Sequence, residues 1–133
     1  MLVASDVMPT LLAATPSFAP AWAAYSAEPG TDPDLLYLHL AEYARHLLAL
    51  LGPGEEGALR AAFAAVERLH AEGDGNVREA ATVGLLEALQ NNAEHAGVDP
   101  GRFAPYLGPE SRRGWEALDQ FWFGRAARPG LGG

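Results

Sequence analysis

Cysteine is missing from the 133 residues, and with it go disulfides, thiolate metal sites and cysteine nucleophiles. Lysine is missing too, so all 9 basic residues are arginine. None of them precedes Arg45. A leading stretch without positive charge, carrying Asp6 and interrupted by Pro9, Pro16 and Pro20, does not read as an export signal. Long apolar runs are lacking as well: the densest, Leu47 to Leu51, falls far below the roughly 20 residues of a membrane-spanning helix. The expectation is a cytoplasmic protein with no membrane contact. Neither the lysine-bearing phosphate loop G-x-x-x-x-G-K-[ST] nor the nucleophile elbow G-x-S-x-G occurs, and no cofactor is implied.

What is present suits a folded domain. Hydrophobic residues make up 49% and charged residues 20%, a globular balance at a length that supports one core. Residues 1–124 read as a single helical domain and 125–133, rich in arginine, proline and glycine, as a flexible tail. The 17 acidic residues against 9 basic ones give a formal net charge of −8, which repels nucleic-acid phosphates unless the arginines gather on one face. They do not gather: Arg45, Arg60, Arg68, Arg78 and Arg102 stand apart, and only Arg112 and Arg113 are adjacent among them. A nucleic-acid partner is therefore not expected, and a protein with a basic surface is.

Helix punctuation recurs along the chain. Ser5 or Asp6 is placed to cap a first short helix, and Ser17 a second that carries Trp22 and Tyr25. Asp32-Pro33 pairs a capping carboxylate with a first-turn proline and predicts a long helix ending at Gly52-Pro53. Leu35, Leu36, Leu40, Tyr43, Leu47 and Leu50 share its apolar face. From about Glu55 to Glu72, Leu59, Ala62, Phe63, Val66 and Leu69 form the next stripe. Gly73 is placed for the left-handed residue that ends this helix, and Asp74 or Asn76 for capping another from Val77 to about Ala93. Gly84 and Ala88 on that helix permit two backbones to approach closely. Asp99-Pro100 opens a short helix, Gly108-Pro109 breaks it, and the last helix follows. The fold class is all-α: a compact orthogonal bundle of about six or seven helices.

The middle of the chain, helix, short acidic turn, Val-Arg, helix, resembles a HEAT-type antiparallel hairpin over residues 58 to 90, without the further copies of a repeat array. More broadly, "FAAVERLHAEGDGNVREAATVGLLEALQN" and "YLGPESRRGWEALDQFW" resemble a family of short, all-helical bacterial proteins of uncharacterised function. Some of its members are associated with toxin and immunity neighbourhoods. The likeness rests on Phe63, Glu67, Leu69, Gly73, Asp74, Val77, Leu86, Glu87, Gly108, Pro109 and Trp115. It implies a helical fold and carries no activity with it.

Two groups of residues bear on function. Spacings of three and four place His39, Glu42 and His46 in one row of a helix, and Glu67-x-x-His70 has the form used in carboxylate-bridged dimetal bundles. A metal site or metal-dependent enzyme built on these five is one reading. The bundle motif needs a second Glu-x-x-His, which the chain does not have, so satisfied histidines at the core edge are the plainer reading. Ser5, Ser17, Ser26 and Ser111 fall at caps and helix ends and form no triad. The other group is Trp115, Phe121 and Trp122 with Arg112 and Arg113: aromatics that close the core or, where exposed, anchor a partner or a homodimer. The leading expectation is a non-enzymatic, acidic protein-interaction module, in one form an immunity-type inhibitor of a basic partner.

Overall fold

A computed structural model describes residues 1–32 and 35–126, with the side chains of 122–126 left out of the description. Among the described residues seven α-helices follow one another: α1 (Val7–Ala14), α2 (Ala19–Ser26), α3 (Leu36–Ala49), α4 (Glu56–Glu72), α5 (Gly75–Glu79), α6 (Glu87–His95) and α7 (Pro109–Ala126). A π-helical segment, Ala80–Leu86, joins α5 to α6, and short 3-10 turns precede α1, α2 and α7. There is no strand among the described residues, only a bridge between Leu2 and Gly73. The Leu2 amide donates to the Glu72 carbonyl at 2.8 Å, and the Asp74 amide to the Leu2 carbonyl at 2.9 Å. These two bonds pin the N-terminal residues to the α4–α5 turn.

The all-helical reading holds, with local differences. The long helix starts at Leu36, with Leu35 before it and no side-chain cap; of the expected opening, Pro33 and Asp34 lie outside the described residues. Ser17 caps nothing, because its hydroxyl is bonded to the His46 ring at 2.8 Å. Gly73 is extended at φ −77°, not left-handed. What requires glycine there is space: a Cβ would collide with the Leu69 carbonyl and the Val77 side chain. Asp74 does cap the following helix, its carboxylate accepting from the Val77 amide at 2.9 Å, although that helix begins two residues earlier than expected, at Gly75. Arg125 and Ala126, expected in the tail, belong to α7, and 127–133 lie outside the described residues.

One core links the elements. Leu40, Tyr43, Ala44 and Leu47 of α3 belong to one buried cluster with Leu59, Phe63, Val66 and Leu69 of α4 and with Leu85, Leu86 and Leu89 farther on, all essentially without solvent contact. Of the residues expected on the α3 face, Leu35 is 43% exposed because it precedes the helix. α3 packs on the π segment and α6, α1 on α4, and α7 on α4. At Gly84 the close neighbour is a side chain of α3 and not its backbone, since a Cβ there would sit 3.0 Å from a Leu40 methyl. Fully burying a large aliphatic or aromatic side chain contributes roughly 1.5–3 kcal/mol each.

Candidate functional site

The histidines and acids that suggested a metal point in different directions. On α3, His39 and His46 face the aromatic row of the preceding elements. His39 lies edge-on to Trp22, with ring centroids 5.2 Å apart, and its Nδ1 is bonded to the Tyr25 hydroxyl at 2.9 Å. His46 leans on Phe18 at 5.3 Å and bonds Ser17; burial holds its pKa below the ordinary imidazole value, with the Glu55 charge opposing. Glu42 pairs with Arg45 on the same helix. Glu67 and His70 turn toward α7 instead. Among the described residues, no group of three or more His, Asp and Glu lies where it could hold a metal ion.

Glu67 and His70 belong to a junction of three elements. Helix α7 begins at Pro109 behind a glycine, so Gly108 has no side chain to bond its first amides. Glu67 of α4 supplies the missing acceptor: its two oxygens take the Glu110 amide at 3.0 Å and the Ser111 amide at 2.9 Å. Burial alone would raise this carboxyl, but the Ser111 and Glu110 bonds and the nearby His70 outweigh it and hold its pKa below the usual range. Gly108 makes room for the arrangement, because a Cβ there would fall 2.6 Å from the carboxylate.

Behind this cap, His70 Nδ1 lies 3.0 Å from the Val66 carbonyl and 3.0 Å from the Ser111 hydroxyl, and Nε2 lies 3.0 Å from the Thr82 hydroxyl. A carbonyl only accepts, so Nδ1 carries the proton and Nε2 accepts from Thr82. Burial lowers the His70 pKa, with the Val66 bond and the Glu67 and Glu110 charges opposing, and the neutral ring fits these partners. The tautomer also decides the chemistry. An imidazole that donates toward Ser111 cannot take its proton, and Ser111 is fully buried, so this trio does not form a serine nucleophile with its base. It fastens α4, α7 and the π segment together.

A carboxylate capping a distant helix was not foreseen. The signal for it was Gly108-Pro109 itself, a helix start with no capping side chain of its own. The model of a known family covers most of the chain, from residue 8 to residue 122. The chain belongs to the family described as a domain of unknown function (DUF7674). Glu67, Gly73, Asp74, Val77, Gly108, Pro109 and Trp115 all lie within the span matched to DUF7674, and all hold helix ends or core contacts here. No curated protein and no solved structure gives a significant match.

The α7 surface is mixed. Trp115 and Leu118 are buried, so Trp115 closes the core and is not an exposed anchor, whereas Phe121 is 56% exposed. The Trp122 side chain lies outside the described residues. Arg112 is exposed and donates to the Ala104 carbonyl at 3.0 Å; Arg113 is exposed and pairs with Glu110 at 3.8 Å.

Proposed function

We propose that this chain is a non-enzymatic, acidic helical module that binds a protein with a basic surface, an inhibitor of the immunity type being one form of that role. The observation that carries the reading is how the charges are used. Most described arginines are engaged within the chain: Arg45 with Glu42, Arg68 with Glu72, Arg113 with Glu110, Arg102 with the Leu51 carbonyl, Arg112 with the Ala104 carbonyl, and Arg60 over the Tyr106 ring. The acids start in excess, 17 to 9, and Glu28, Glu55, Glu56, Glu79, Glu94 and Glu116 are exposed. The outward field is therefore negative, and it favours encounter with a basic partner. Exposed Tyr37, Leu38 and Val83 add apolar contact area, which a tight interface needs at its centre.

The test is capture with the intact protein at low salt, followed by direct binding with each purified candidate. A basic protein that binds one to one, loses affinity steeply as salt rises and binds the double variant Glu79→Gln, Glu116→Gln more weakly supports the reading. If direct binding finds no such protein, or affinities indifferent to both salt and the acids, the reading fails.

A further inference from the structure

We propose that the cleft between the N-terminal segment, α2 and the start of α3 is a binding site for a small organic cation, a primary amine carried on an apolar body. The cleft has a volume of about 690 Å³ and is lined by Val3, Ala4, Ser5, Met8, Trp22, Leu36, His39 and Asp74. That volume lies within the roughly 300–1,000 Å³ of ordinary small-molecule sites. Its walls are mostly apolar, with Trp22 offering the aromatic surface, and its polar side chains are Ser5, His39 and Asp74. This site is independent of any protein partner.

Two of those polar groups are unusual. His39 is 3% exposed yet lines the cleft, wedged edge-on against both Trp22 and Tyr25. The Tyr25 hydroxyl occupies its Nδ1, and no described residue is bonded to Nε2. A buried imidazole held rigidly by one nitrogen retains a directional group at the other. Asp74 is held just as firmly. Its Oδ1 accepts from the Val77 amide and its own amide donates to Leu2, which leaves Oδ2 as a fixed anionic acceptor. A fixed carboxylate that lines the same cleft as an aromatic ring selects an ammonium group attached to apolar atoms. The net charge of −8 adds to that selection.

The probe is 2-phenylethylamine, titrated into the full chain up to about 10 mM while the Trp22 indole N–H is followed by NMR, its signal assigned with Trp22→Phe. Phenylacetate is the arm with the same body and the opposite charge. The proposal expects a saturable shift with the amine and none with phenylacetate. Asp74→Asn should weaken binding roughly tenfold without moving the thermal midpoint, because asparagine also caps a helix well. Ala4→Trp, a change at an exposed wall position, should block the cleft and abolish the shift in a folded protein. Gln120→Ala, an uncharged change at an exposed α7 position outside the cleft lining, should bind as the parent does. Absence of a saturable shift, equal binding of phenylacetate, or equal affinity in both Asp74→Asn and Ala4→Trp overturns the proposal.

Discussion

Glu67 carries more of the architecture than its partly exposed position suggests, because it ends one problem and creates another. It satisfies the Glu110 and Ser111 amides that Gly108 cannot reach, and it does so only because Gly108 has no Cβ to collide with it. Glu67→Ala leaves two helix amides without their acceptor and should cost about 1–3 kcal/mol, read from the midpoint of urea unfolding. Gly108→Ala should cost a similar amount by displacing the carboxylate. The two losses share one cause, so the double variant should fall well short of their sum. Additive losses would mean that Gly108 matters for another reason.

Where α4, α7 and the π segment meet, stability should depend on pH through His70. The neutral ring accepts from Thr82, and its pKa is lowered by burial while Glu67 and Glu110 oppose. A lowered value means the unfolded chain takes up a proton first as acid is added. Stability is therefore complete above the ordinary value of 6.5 and declines as pH falls from there through the folded value. His46, lowered by burial as well, adds to the same slope. Glu67 continues the decline below 4.5. Denaturant midpoints measured from pH 8 to 5 should show the fall, and His70→Gln should make it shallower; an unchanged slope would remove His70 from this role. Helix existence and a cap at Asp74 or Asn76 were legible in the sequence, since apolar spacing and capping chemistry are local, and the structure assigns the cap to Asp74. The destinations of Glu67, His39 and His70 were not. A helical row shows which side chains are neighbours along one helix, but not which other helix, here α2 or α7, packs on it.

For the molecule as a whole, the excess of acids should make folding sensitive to salt in a direction that depends on which charges dominate. Among the described residues, the ion pairs Arg45–Glu42, Arg68–Glu72 and Arg113–Glu110 join residues one helical turn apart, and each includes an arginine at least half exposed. Exposed pairs of this kind contribute about 0–1 kcal/mol each, and salt weakens them only slightly in absolute terms. Against them stands a formal net charge of −8 on a small domain, whose self-repulsion opposes the compact state. Repulsion acts over longer distances than the local pairs, so screening should remove more destabilisation than stabilisation. Raising sodium chloride from about 0.02 to 0.5 M shortens the screening length from about 20 Å to about 4 Å and should raise the melting temperature by about 2–5 °C. A melting temperature that falls instead would show that the arginine pairs outweigh the surplus acids, and would weaken the case that a basic partner is drawn by an uncompensated surface.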